Sequence, residues 1–202
     1  MPGPFCSPGL WTCTWETGLQ RYPRIDVELI ATDAILDVIE QKIDVAIRVG
    51  WLADSSLHAT LLGGFESIVC ASPMYLASIP EVRSPADLSG VSWLGVSLLS
   101  SPHRWTFRDA RGAEQTVETH GRLMANSASA VRALALAGAG VSALPDYLVR
   151  ADLKVGRLVR LLPDYDLAQG GIYAVVPSRR QLPQKVTAFV SFLKSELGGG
   201  GR

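Results

Sequence analysis

Few residues in this chain announce a catalytic or metal centre: its 202 residues include 3 cysteines and 3 histidines. Cys6, Cys13 and Cys70 are odd in number and form no Cys-x-x-Cys pair, which excludes a secreted disulfide framework and a zinc knuckle. A reducing cytoplasm is the expected compartment. His58, His103 and His120 are scattered, without a second histidine or carboxylate at metal-ligand spacing, and no Gly-x-Ser-x-Gly elbow offers a serine nucleophile. No metal and no cofactor are expected. Neither charge is in excess, since 19 Lys and Arg meet 19 Asp and Glu, so the field that marks a nucleic-acid clamp is absent. The longest charge-free windows, 88–103 and 133–145, fall short of a membrane span and are interrupted by Gly, Ser and Pro. The first residues have neither a basic start nor an apolar run, and Pro2, Pro4 and Pro8 break them, so no signal peptide is expected.

What the chain does have is 48% hydrophobic and 19% charged residues, the composition of a folded protein with a filled interior, and enough length for a sizeable core. From Ile25 onward, short apolar runs alternate with helical periods, the mark of βαβ units around a largely parallel sheet. Residues 27–30 read as a strand, 32–41 as a helix and 44–49 as a strand parallel to the first. Further strands are expected at 67–71, 91–97, 141–144, 158–162 and 172–176, with a hairpin of 104–107 and 115–123 around Gly112. Ser72 with Pro73, and Ser84 with Pro85, are helix starts with proline at the first helical position. Asn126 and Ser127 open a helix closed by Gly138, another helix lies near 145–153, and Val186, Phe189, Val190, Leu193 and Leu197 form one face of the last.

Several motifs resolve into structure. Gly138 to Ala143 matches the G-x-G-x-x-A dinucleotide pattern, but it follows a helix and opens a strand, the reverse of the required order, so it reads as a cap and turn. Asp164 and Asp166 read as a polar turn, and Arg179, Arg180 and Lys185 as a solvated loop. In open α/β sheets ligands bind outside the carboxyl ends of the strands, and Thr32, Arg48, Gly50, Trp51 and Ser97 lie at such ends. Asn126, the one asparagine, crowds with Ser127 and Ser129 at a helix N-terminus, where N–H groups and dipole favour an anion. Taken singly, Asn126 or Ser127 is an N-cap and Arg48 the partner of a nearby carboxylate. Taken together they describe a small-anion cleft.

Tyr22-Pro23 with Val27-Glu28-Leu29-Ile30, the run Asp44-Val45-Ala46-Ile47-Arg48-Val49-Gly50, and Cys70-Ala71-Ser72-Pro73-Met74-Tyr75-Leu76 resemble the effector-binding domain of LysR-type transcriptional regulators. So do 136–148 (LAGAGVSALPDYL), 156–163 (GRLVRLLP) and 173–193, in order along most of the chain. The resemblance implies an α/β, two-lobed periplasmic-binding-protein-like (type II) fold with a ligand cleft between the lobes. Lobe I would comprise 22–71 and 178–197 and lobe II 72–177, with crossovers near 71–73 and 176–178, an atypical segment with a remnant first helix at 1–21, and a disordered tail at 198–202. It further implies a small effector, no catalysis, and homodimers or tetramers. Carried over by position, Thr32, Arg48 to Trp51, Ser97, Asn126 to Ser129 and Pro145 would line the cleft.

The family places a DNA-reading domain of roughly 60 residues and a linker helix before this region, whereas 21 residues precede Tyr22 here. The expectation is a truncated chain that meets DNA only through a domain it does not carry, with lobe I weakened by the loss of a first strand. Lys42 stands where the family often has a helix-capping glycine. A stand-alone solute-binding protein of the same fold would need the export signal that 1–20 do not provide, and an enzyme such as a dehydratase would need acid and base groups beyond Asp33 and His103. This chain is expected to show no sequence-specific duplex binding at physiological salt, and a specific gel shift at nanomolar concentration would overturn that.

Overall fold

A computed structural model describes residues 20, 22–23, 25–32, 40–51, 58–177 and 182–198. The chain divides into two compact units, 1–65 with 169–202, and 66–168. The chain passes from one unit to the other between Phe65 and Glu66 and returns between Ala168 and Gln169, ahead of the crossovers expected at 71–73 and 176–178. The reason is strand pairing: the returning strand finds all its ladder partners within the first unit, and 67–71 finds all its own within the second.

The described part of the first unit is a three-stranded sheet, β1 (Ala46–Gly50), β2 (His58–Phe65) and β11 (Gly170–Val176), in the order β1-β11-β2. Both pairings are antiparallel, which corrects the expected parallel sheet here: the central strand is the returning one. Helix α4 (Gln184–Gly198) packs on β2, burying Val186, Phe192, Leu193 and Leu197. Phe189 and Val190 of the expected face are half-buried. The approach is close, because a Cβ on Gly63 would stand 2.9 Å from the Leu197 carbonyl oxygen.

The strand expected at 27–30 does not form among the described residues. Val27, Leu29 and Ile30 are 41%, 56% and 55% exposed and join no ladder. Alternation of apolar residues makes a strand only where a neighbour satisfies its N–H and C=O groups. Lys42 adopts φ +52°, so the position often held by glycine does require the left-handed region, and lysine holds it at a steric cost of about 1 kcal/mol. The expected remnant helix within 1–21, residues 33–39 of the expected helix, Arg179, Arg180 and the tail beyond 198 lie outside the described residues.

The second unit is built around β3 (Ser67–Ala71), β4 (Ser92–Val96), β7 (His120–Ala125) and β8 (Ser142–Pro145). Strand β3 is flanked by β8 and the short β9 (Val159–Arg160), both antiparallel, while β4 and β7 run parallel. Strand β3 is apolar on both faces. Val69 and Ala71 join Trp93, Trp105 and Phe107 in one core, and Ile68 and Cys70 join Leu94, Val131, Leu144 and Val149 in another. Helix α1 (Pro73–Leu76) starts as expected, with the Ser72 hydroxyl accepting from Tyr75 N–H. A 3-10 turn, Pro85–Gly90, starts at Ser84, whose N–H donates to Asp87 at 2.8 Å.

The hairpin is β5 (Arg104–Asp109) and β6 (Glu114–Glu118), with Gly112 at φ +84°, and β10 (Tyr165–Leu167) pairs on its far side. The strand expected at 115–123 is two strands. Thr119 breaks it, being buried with both its N–H and its hydroxyl donating to the His103 carbonyl, and the chain turns there to pair with β4.

Helix α2 (Ala128–Leu136) ends in a Schellman motif: Gly138 N–H donates to Ala135 O and Ala139 N–H to Leu134 O, with Gly138 at φ +79°. The G-x-G-x-x-A run is thus a cap followed by β8. Helix α3 (Asp146–Lys154) carries Asp152, a carboxylate with no solvent exposure. Arg132 Nε of α2 lies 2.6 Å from its Oδ2, and Arg157 Nη2 lies 2.6 Å from Oδ1, an ion-pair contact without hydrogen-bond alignment. Cys70 is equally buried. Its thiol is pushed up to about 12 by burial and then by the negative field of Asp152, so it is inert near neutral pH. Replacing Arg132 with Ala leaves the buried Asp152 carboxylate without its hydrogen-bonded partner and is expected to cost about 3–5 kcal/mol, read as a lower midpoint in urea unfolding.

Candidate functional site

Within the second unit, three strands end along one edge. Strands β4 and β7 are parallel with Val96 opposite Ala125, and β8 is tied alongside β4 by a parallel bridge at Trp93 and Val141 and by the Ser142 hydroxyl on Leu94 O. Their carboxyl ends bring together Ser97, Asn126 with Ser127, and Pro145. Ser97 N–H closes the gap by donating to Ala125 O at 2.9 Å. Ser97 and Asn126 are exposed, whereas Ser127, Ser129 and Pro145 are half-buried.

Ser127 is the N-cap of α2, yet its hydroxyl makes no capping bond, and the first turn contains no acidic side chain. The positive end of the dipole is therefore not offset by a carboxylate of its own helix. Ser129 in that turn is already engaged within the chain. Pro145 caps α3, and Asp146 beside it exchanges two bonds with Glu66, Asp146 N–H to Glu66 O and Glu66 N–H to Asp146 Oδ1. These bonds fix the turn from β8 into α3 against the start of β3.

In the first unit, β1 and β2 are both antiparallel to β11 and hence parallel to each other, so their carboxyl ends coincide at Gly170 and Gly171. Arg48 sits opposite Tyr173 and Gly50 opposite Gly171, while Trp51 follows the strand and is 46% exposed. Arg48 is half-buried and already has a partner. Thr32 lies in no regular element; it is half-buried, already has a partner within the chain, and ends the irregular stretch 25–32. The nine expected positions thus form two strand-end groups, one in each unit, with Thr32 apart.

Phe65, Gly170 and Tyr173 belong to the first group and were not among the expected positions. The signal was present in the doublets Gly63-Gly64 and Gly170-Gly171, since glycine inside a strand marks close approach of another group. The Phe65 ring occupies the space where a Cβ on Gly170 would be, 2.1 Å from its Cζ, and Tyr173 does the same over Gly171. His103, weighed above as an acid or base, sits at the start of the hairpin with a buried Nδ1 that has no hydrogen-bond partner in the structure. Asp33 lies outside the described residues. Among the described residues, no three His, Cys, Asp or Glu side chains group as metal ligands, and no helix is long and apolar enough to cross a membrane.

A sequence model of the LysR substrate binding domain matches residues 17–198. The chain belongs to the LysR substrate-binding domain family. Over 180 residues it is 47% identical to the HTH-type transcriptional regulator PtxR of Pseudomonas aeruginosa, an alignment covering 89% of this chain and 57% of that protein. The regulatory domain of CrgA from Neisseria meningitidis superposes with a TM-score of 0.81 at 32% identity, covering 94% of this chain and 92% of that one. The full-length virulence activator AphB of Vibrio cholerae superposes with a TM-score of 0.76 at 27% identity, covering 95% and 65%. The two α/β units are thus the two lobes of the periplasmic-binding-protein-like fold of LysR regulatory domains. As a LysR domain the chain spans less than two thirds of the curated regulators it matches.

Because Phe65 fills the place of a side chain on Gly170, Gly170→Ala is expected to overpack the strand ends. The cost should be about 1–3 kcal/mol, read by thermal unfolding.

Proposed function

We propose that this LysR substrate-binding domain is the sensor of a transcriptional regulator, taking a small anion at the strand ends of the second unit. The observation that carries the reading is the helix start at Ser127, with a cap hydroxyl that makes no capping bond and no carboxylate in the first turn, directly after the end of β7 and next to Asn126. Such a terminus favours negative charge through its N–H groups and its dipole. At the strand ends of the first unit, Arg48 is a separate candidate, since the five N–H donors of a guanidinium leave room for an anion beside the partner it has.

In this reading the effector shifts the balance between conformations of the domain by as much as its affinity for them differs. The domain works in the cytoplasm and without catalysis, in homodimers or tetramers, with DNA contact made by another domain of the regulator. The name of its relative PtxR, a transcriptional regulator, supports regulation over solute transport.

Thermal-shift screening of small carboxylates tests the proposal. A binder present at about 100 times its Kd stabilises the fold by about 2.7 kcal/mol. Arg48→Ala is expected to weaken the best binder by about 1.5–3 kcal/mol by calorimetry, the range for a charge-assisted hydrogen bond. Unchanged affinity removes Arg48 from the site, and no shift with any anion overturns the proposal.

A further inference from the structure

One imidazole ring in the second lobe has a buried nitrogen with no hydrogen-bond partner, Nδ1 of His103. The backbone that carries the ring is fixed on both sides. The His103 carbonyl accepts both the N–H and the hydroxyl of Thr119, at 2.7 and 3.1 Å, and the Pro102 carbonyl before it accepts the indole N–H groups of Trp93 and Trp105. A buried polar atom left without a partner calls for a reason, and a bound ion is one that also offsets its cost.

The nitrogen edge of this ring shares a space with a thioether. Gly95 on β4 lies opposite Met124 on β7, and a Cβ on Gly95 would stand 3.2 and 3.4 Å from Cγ and Cε of Met124 and 3.6 Å from Cε1 of His103. Cγ and Cε are the carbons that flank the Met124 sulfur, and Cε1 is the carbon between the two imidazole nitrogens. Sulfur and ring nitrogens therefore converge over a residue with no side chain to occupy the space. Met124 keeps 46% of its surface exposed, which gives an ion a way in from water. With its proton on Nε2, the imidazole presents a lone pair at Nδ1. A thioether and a neutral imidazole suit soft monovalent ions, which accept two ligands in a line, whereas zinc takes four and hard divalent ions take oxygen. We propose that His103 and Met124 form a binding site for a soft monovalent metal ion, Cu(I) or Ag(I), with Gly95 leaving the room between them. A bound ion would tie β7 to the start of the hairpin. The site lies wholly within the second lobe and uses none of the groups of the anion reading, so either can stand without the other.

The test follows the methionine methyl signals by NMR while silver nitrate is titrated into the full 202-residue chain, with Cys6 and Cys13 replaced by serine because free thiols compete for the ion. The 3 methionines give separate methyl signals, and Met124→Leu identifies which one belongs to Met124. That signal is expected to shift and to saturate at one equivalent of silver while the signals of Met1 and Met74 stay in place. His103→Phe should weaken the response at least about tenfold, and zinc should leave it unmoved. Silver should also raise the unfolding temperature of the chain and leave that of Met124→Leu unchanged, a readout that holds even if His103→Phe fails to fold. A Met124 signal that does not move, one that moves in step with Met74, unchanged affinity in a folded His103→Phe, an equal response to zinc, or equal stabilisation of Met124→Leu by silver overturns the assignment.

Discussion

Asp152 has no access to water, and its charge is tolerable in the interior because Arg132 and Arg157 each reach one of its oxygens at 2.6 Å. The three groups come from three places, α2, α3 and the loop after α3, so the carboxylate decides where α2 stands over the sheet. The N-terminal end of α2 follows β7 directly, so the placement of the helix also places that end beside the paired β4 and β7. Cys70 on the neighbouring β3 feels the same negative field, which adds to burial in keeping its thiol protonated. A buried charge of this kind is a poor source of net stability.

The local signals were legible where short-range chemistry fixes the backbone. Ser72 with Pro73, Ser84 with Pro85, and Gly138 at the end of α2 each carry in one or two residues the bonds that start or stop a helix. The last helix was legible from its apolar spacing, although Phe192 is more deeply buried than the expected Phe189. Pairing was not legible. Residues 27–30 have the alternation of a strand and no ladder partner, while the split at Thr119 depends on the His103 carbonyl 16 residues away, which periodicity does not encode. The parallel sheet expected from the βαβ rhythm holds for β4, β7 and the bridge to β8, whereas the other pairings are antiparallel, among them the β5–β6 hairpin and both pairings of the returning β11.

The site was partly legible for the same reason. The rule that ligands sit beyond strand ends picked Ser97, Asn126 and Ser127, and the parallel pairing of β4 with β7 brings these candidates to one edge. It also picked Thr32, which depended on a strand at 27–30 that does not form. Phe65 escaped notice because its role is relational: it covers Gly170, a pairing that does not exist until β2 and β11 are in register, whereas Tyr173 covers Gly171 two residues away on its own strand.

Trp93 and Trp105 have a consequence outside binding. Both indole N–H groups donate to the single carbonyl of Pro102 at 3.2 Å, using both of its lone pairs, and the rings lie 5.6 Å apart at a tilt of 51°. Two chromophores locked in a fixed skew orientation give an optical activity that neither gives alone. It survives only while the packing that locks them survives, even where helices and strands outlast that packing. The second lobe therefore carries its own spectroscopic clock, and near-ultraviolet dichroism can time its loosening separately from whatever happens around Trp51 in the first.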